Sequence, residues 1–185
     1  MSSVLDNPAI RESALRLGVD QYHRLCDAGI IPEKTELLSG IVVSKKGKSP
    51  LHTWTVGFLA DWLRGCSLEG FSVRVEQPLT LIDSEPEPDI AVVEGSLDDY
   101  RESHPVSADM VIEVAVSTED VDREKTSIYA GAGISEYWIV LPQQQIVVVH
   151  RNPSGSVFEE QTEADLNGTL NWQGDTLSLA DLFKK

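Results

Sequence analysis

Positive charge is scarce in this sequence. Lys and Arg number 15 against 30 Asp and Glu, a formal net charge of -15 with a pI near 4.5. So acidic a chain stays soluble but has no broad, non-specific grip on a polyanion. A phosphate-bearing partner would need a local basic surface, a groove formed by two copies, or bound divalent cations that offset the acids. Cysteine is nearly absent as well. Cys26 and Cys66 stand 40 positions apart in segments that both look helical, a pattern that argues against a disulfide framework and predicts two reduced core thiols. The four histidines are scattered, which leaves zinc chemistry little support. No apolar run approaches the length of a membrane span, and no signal-peptide pattern is visible, so the expected location is the cytoplasm. Internal repeats and low-complexity tracts are missing too.

What is present is a globular composition, 41% hydrophobic and 24% charged over 185 residues, enough for one domain with a sizeable core. Residues 1–18 are mixed, with a short helix expected around Ile10 to Leu17, and read as an N-terminal arm; residues 19–185 read as a single domain. Val19 to Ala28 has helical spacing, stopped by Gly29. ELLSGIVV, Glu36 to Val43, reads as one or two strands bent at Ser39-Gly40. In Leu51 to Leu63 the residues Leu51, Trp54, Phe58, Leu59 and Trp62 form one face, predicting a helix packed on a sheet; His52 near its start reads as a capping or surface residue. FSVRVE alternates as a half-exposed strand, interrupted at Pro78 and resumed from Leu79 to Ile82. Gly95 to Ala108 is a polar, mobile loop. Asp109 to Val116 is the most strand-like run, covered on both faces. Ser117 and Thr118 can cap the helix after it, and Gly131 and Gly133 stop that helix. EYWIVL and QIVVVHR then form a hairpin turned at Pro142, Val157 to Thr162 an edge strand, and LADLF a terminal element. The sum is an α/β fold with a mixed central sheet flanked by helices. The apolar edge near Gln145 to His150 predicts pairing across a two-fold axis, hence a homodimer.

Two carboxylates interrupt apolar runs. Asp89 lies where EPEP, held extended by Pro86 and Pro88, enters the strand IAVV, and Glu113 sits in the middle of MVIEV. A carboxylate buried alone would cost several kcal/mol, so each needs a metal, a donor network or a cation. Lys125 follows on a helix whose Asp122, Lys125 and Tyr129 share a face. Two acids on neighbouring strands and a lysine reaching in from a helix meet the minimum for hydrolysing a phosphodiester with one or two Mg²⁺ ions. The bland reading pairs Glu113 with Lys125 or Arg123 and leaves Asp89 as a strand cap. SKKGKS, Ser44 to Ser49, is the sole cluster of positive charge: either a solvated turn or a loop whose Lys45, Lys46 and Lys48 contact phosphate.

Taken together, Pro88-Asp89, Ile112-Glu113-Val114, Asp122, Lys125, Tyr129 and Glu136-Tyr137-Trp138 resemble the Uma2 family of restriction-endonuclease-like proteins, within the wider PD-(D/E)XK nuclease-like fold. The resemblance covers the chain from Val19 to its C-terminus. It implies a restriction-endonuclease-like sheet, a Mg²⁺ or Mn²⁺ site at Asp89 and Glu113 with the backbone carbonyl of Val114 as a further ligand, and nucleic acid, DNA foremost, as substrate. The usual motif lysine would fall at Ala115; Lys125 resembles its migrated replacement. Glu36 is implied as a third acid, although relatives often carry a glutamate where this chain has Ile41. Asp122 and Tyr129 would support the ligands. The rival expectation, motivated by the acidic balance and Ile41, is a nuclease fold retained as a binding or assembly module; a third is a hydrolase of nucleotides or RNA.

Overall fold

The computed structural model describes residues 7–184. Asn7 caps a short helix α1 (Pro8–Ser13), its side chain accepting from the Ala9 N–H. The rest of the expected arm, residues 1–6, lies outside the described residues. After α1 the chain docks on a hairpin: the Leu17 N–H donates to the Gly40 carbonyl at 3.0 Å. That hairpin joins β1 (Thr35–Leu38) to β2 (Ile41–Ser44) in antiparallel register. Its two turn residues, Ser39 and Gly40, both have positive φ, 47° and 76°, the geometry that matches the twist of paired strands. Gly40 is required twice over, since a Cβ there would meet the Arg16 Cβ at 2.5 Å. Between arm and hairpin runs α2 (Val19–Asp27), which buries Tyr22 against Thr35.

The core is a sheet of six strands in the order β3-β4-β5-β6-β7-β8: β3 (Phe71–Val75), β4 (Ile90–Glu94), β5 (Met110–Val114), β6 (Glu136–Leu141), β7 (Ile146–Ser154) and β8 (Val157–Asp165). Only β5 and β6 run parallel, and a parallel pair needs a crossover, here α4 (Glu119–Gly131). All five residues of β5 are buried, as a nearly unbroken apolar run requires. On one face of the sheet lie α3 (Pro50–Gly65), the hairpin of β9 (Thr169–Trp172) and β10 (Asp175–Ser178), and the terminal turn α5 (Leu179–Leu182), packed around Ile112 and Trp138. On the other, α4 and the turn after it set Tyr129 and Ile134 against Tyr137 and Ile139. The mixed α/β architecture of the sequence reading is present.

Several local expectations change. The buried face of α3 is Thr55, Val56, Leu59, Ala60 and Leu63, while Leu51 and Trp54 are exposed. The helix carries two apolar stripes, and the smaller side chains take the sheet side, leaving Trp54 to stack on Phe58 at 5.4 Å. Leu79 to Ile82 does not extend β3. Its amides bond to Pro86, Pro105 and Ser84 carbonyls instead, so the segment folds back on itself after Pro78. The loop after β4 contains a 3-10 turn, Leu97–Tyr100, and the β9–β10 hairpin has no counterpart in the sequence reading. Cys26 and Cys66 are free and half-buried, and only Cys66 packs against the core. The proposed two-fold edge at Gln145 to His150 is unavailable, because β7 is bonded to β6 on one side and β8 on the other.

Candidate active site

Strand register brings the two acids together. Asp89 directly precedes β4, which pairs Ile90 with Ile112 of β5, and the antiparallel pairing places Glu113 beside it. Each carboxylate takes a backbone amide from the other strand: the Asp89 N–H donates to Glu113 Oε2 at 3.2 Å, and the Val114 N–H to Asp89 Oδ2 at 2.8 Å. The β1–β2 hairpin supplies a third acid, Glu36. Leu37 of β1 and Glu85 exchange two backbone bonds, which fixes the hairpin over the EPEP segment and lets Glu36 Oε1 accept from the Glu87 N–H at 2.9 Å.

From above, α4 presents Asp122, Lys125 and Tyr129 on its inward face, all buried. Lys125 Nζ lies 2.9 Å from Glu113 Oε1 and 3.1 Å from Glu36 Oε2. The Tyr129 hydroxyl donates to the same Glu113 oxygen at 2.8 Å. Of four buried carboxylates in the cluster, Glu36 and Glu113 bond this ammonium directly, Asp122 acts on it through space, and Asp89 lies against Glu113. The imbalance shows in their protonation. Burial, reinforced by Asp89, Asp122 and Glu36 and opposed by Lys125, pushes Glu113 up to about 8. Asp122 is raised too, chiefly by burial. Burial works against the Lys125 ammonium, but Glu113, Glu36 and Asp122 outweigh it and hold its pKa above the usual lysine value. Burial also lifts the Tyr129 phenol well above its ordinary range, so it stays a donor.

These residues floor a cleft of about 130 Å³ whose rim is the loop between β2 and α3. Lys45, Lys46 and Lys48 all line it, and each is held: Lys45 by Glu87 at 2.6 Å, Lys48 by Glu76 at 2.7 Å, and Lys46 by the Ser117 carbonyl at 2.7 Å. The expected basic loop therefore does stand beside the three chemistry-bearing residues. Thr118 occupies the N-cap position of α4 but makes no side-chain cap bond; its carbonyl receives the Asp122 N–H.

His52 departs from the sequence reading. It is neither a cap nor a surface residue, since Ser49 is the N-cap of α3, and its Nε2 sits 3.0 Å from Asp89 Oδ2 with 12% of the side chain exposed. Glu76 and Glu87 were not singled out from the sequence either. A signal for His52 exists: Ser49-Pro50 fixes the helix start, which puts His52 in the first turn, where side chains lean toward the N-terminus and the strand ends. A donor set of several carboxylates and an adjacent imidazole, with a single ammonium among them, could hold a divalent cation.

The sequence profile of the Uma2 family, described as "Putative restriction endonuclease", matches residues 19–183. The chain belongs to the Uma2 family. Among solved structures it is similar to the crystal structure of "a putative nuclease belonging to DUF820 from Anabaena variabilis ATCC 29413", with a TM-score of 0.73 and 19% identity, covering 90% of this chain and 97% of that one. At that identity the likeness is one of fold. No curated protein matches the sequence. Among the described residues of this Uma2 chain no helix is long and apolar enough to cross a membrane.

Proposed function

We propose that this Uma2 protein is a divalent-metal-dependent phosphodiesterase acting on nucleic acid, DNA foremost. The observation that carries the reading is the convergence of Asp89, Glu113 and Lys125 in one cleft, with Glu36 as a further acid and too little positive charge to balance them. Asp89 and Glu113 would hold Mg²⁺ or Mn²⁺, and the Val114 carbonyl would complete their set. A bound dication there supplies charge neutralisation at the phosphate and a water acidic enough to attack. Lys125 orients that water or stabilises the charge that develops on phosphate oxygens. Tyr129 and the Asp89 backbone amide aim the Glu113 carboxylate through the bonds at 2.8 and 3.2 Å, and Asp122 strengthens the field that keeps Lys125 charged. Lys45, Lys46 and Lys48 lie where a phosphate backbone would pass.

The test is cleavage of plasmid DNA by the wild type with and without Mn²⁺, beside Asp89→Ala, Glu113→Ala and Lys125→Ala. Divalent-dependent cutting that each substitution lowers by about a hundredfold or more supports the assignment; a wild type that cuts alongside three variants that cut equally well removes it. A second reading, a binding or assembly module without catalysis, draws on the mutual satisfaction of Lys125, Glu113 and Glu36 within the protein. It predicts that millimolar Mn²⁺ leaves the melting temperature unchanged.

A further inference from the structure

The polar loop after β4 meets the sheet through one charged side chain. Arg74, on β3, is buried and forms no ion pair among the described residues. Its guanidinium carbon lies 5.4 Å from the centre of the Tyr100 ring, and its Nη2 lies 3.3 Å from His104 Nδ1. Tyr100 is tied in turn to the end of β4, its hydroxyl donating to the Glu94 carbonyl. The Arg74 Nε is buried without a partner, so among the described residues His104 is the one group that the guanidinium hydrogen-bonds.

Arginine carries donors only, and that fixes the state of the histidine. Nδ1 must present its lone pair, which makes His104 neutral with its proton on Nε2. A second proton on the ring turns Nδ1 into a donor, breaks the bond and sets a positive charge against a buried guanidinium that no carboxylate balances. Solvent reaches this imidazole, because His104 is exposed and lines a surface cavity of about 480 Å³ together with Glu94, Asp99, Tyr100 and Asp109. Burial of its inner edge holds the His104 pKa below the ordinary 6.5; Glu85 and Glu87 of the EPEP segment pull it up, and Arg74 and His23 of α2 push it further down.

The two ends of the segment are fixed independently of this contact. Before it, Gly95 turns at a φ of 89°, its N–H donating to the Gly70 carbonyl at 2.8 Å. After it, Pro105 is buried and its carbonyl accepts from the Thr80 N–H at 2.9 Å. We propose that His104 is a pH-sensitive latch: neutral, it accepts from Arg74 and holds residues 96–104 on the sheet; protonated, it releases them between the anchors at Gly95 and Pro105 and uncovers Arg74. Closure is complete above the ordinary histidine value and weakens as pH falls through the folded one. The inference stands apart from the phosphodiesterase reading, since Arg74, Tyr100 and His104 do not line the acidic cleft.

Hydrogen exchange of the full chain, corrected for the intrinsic pH dependence of amide exchange, tests the latch. From pH 7.5 to pH 5 the segment 96–104 should exchange several-fold faster, below a ceiling of about thirtyfold set by an ordinary histidine at pH 5, while β5 and β6 keep their protection. His104→Asn and His104→Gln each keep an acceptor at this exposed position and do not titrate, so their ratio between the two pH values should stay below about twofold. Thermal melts by circular dichroism establish that each variant is folded. A long-range ¹H–¹⁵N spectrum of the wild type at pH 7.5, with the His104 signals identified by their loss in the variants, should show the proton on Nε2. A proton on Nδ1 at that pH, a wild-type segment whose corrected exchange is the same at both pH values, or variants that open on acidification as the wild type does, overturns the inference and leaves the phosphodiesterase reading standing.

Discussion

Removing the Lys125 charge tests the balance on which the site depends. In Lys125→Met the aliphatic stem survives, but Glu113 and Glu36 lose an ammonium 2.9 and 3.1 Å away in surroundings where all three side chains are at most 7% exposed. So little exposure means little screening, and stripping one partner from a buried ion pair costs about 3–5 kcal/mol. In a chain of this length that lowers the melting temperature by roughly 6–20 °C. The loss depends on pH with a defined sign. Glu113 in the folded protein is pushed up to about 8 from an ordinary value of 4.5, so the native state binds its proton more tightly than the unfolded state. Its contribution is fully present below the unfolded value and is lost as pH rises through the folded one. Without Lys125 the folded value climbs further and that loss steepens. The deficit of Lys125→Met relative to wild type should be small near pH 5 and largest near pH 9, measured by urea unfolding followed by circular dichroism. Mn²⁺ at a hundredfold excess over its dissociation constant should return about 2.7 kcal/mol. A variant within about 0.5 kcal/mol of wild type at pH 8, or a deficit that does not change with pH, would refute the reasoning, because both outcomes mean that the acids do not feel the ammonium.

Two further outcomes are expected. His150 is buried in β7, stacked on Tyr137 at 5.5 Å and facing Phe158, and burial lowers its pKa below the ordinary 6.5; the stability tied to its neutral form is present above 6.5 and lost as pH falls through the folded value. His150→Phe keeps the stack and removes the proton, so its melting temperature should fall less steeply than that of wild type between pH 6.5 and pH 5. Gly40→Ala places a Cβ 2.5 Å from Arg16 Cβ at a φ of 76°, which should cost about 1–3 kcal/mol in a urea melt, with Gly29→Ala as the control that shares the positive φ but meets nothing within 4 Å.

The chemistry-bearing part of the fold is legible where burial and charge conflict locally. Glu113 stands out because four apolar residues enclose it in β5, and Asp89 because two prolines deliver it to the start of β4. Asp122, Lys125 and Tyr129 are found together because helical spacing puts them on one face. His52, Glu76 and Glu87 carry no such conflict. Each is an ordinary polar residue, and it is the packing of the first turn of α3, the register of β3 on β4 and the Leu37–Glu85 bridge that bring His52, Glu76 and Glu87 respectively to this end of the sheet. The buried face of α3 differs from the periodic one for a related reason: two apolar stripes compete, and periodicity counts side chains without weighing which of them can approach a sheet closely. The position of β7 is beyond local sequence altogether, since its apolar run fits an edge strand or a central one equally, and the pairing with β8 decides it.

The acidity of the chain bears on the phosphodiesterase reading less than its total suggests. Glu159, Glu160, Glu163 and Asp165 are all exposed on β8, the edge strand at the far end of the sheet. Charges along an edge block pairing with another sheet, and this placement accounts for them without reference to any ligand. β8 lies three strands from β5, roughly 14 Å at ordinary strand spacing. The screening length at physiological ionic strength is about 8 Å. A phosphate placed in the cleft would therefore feel these edge acids weakly; within its screening length are the rim lysines, two of them paired with Glu76 and Glu87, and the buried acids beneath them. The same separation explains why net charge is a poor guide here: acids that guard an edge and acids that line the cleft enter the sum alike, although only the second group is within reach of a ligand bound in it. Neutralising the β8 acids with Glu159→Gln, Glu160→Gln and Glu163→Gln should accordingly change the affinity for a DNA duplex by less than about threefold at physiological salt, while raising the tendency of the protein to self-associate in size-exclusion chromatography. A tenfold gain in duplex affinity with no change in association would show that the acidic edge, and not the cleft, sets the approach of the polyanion.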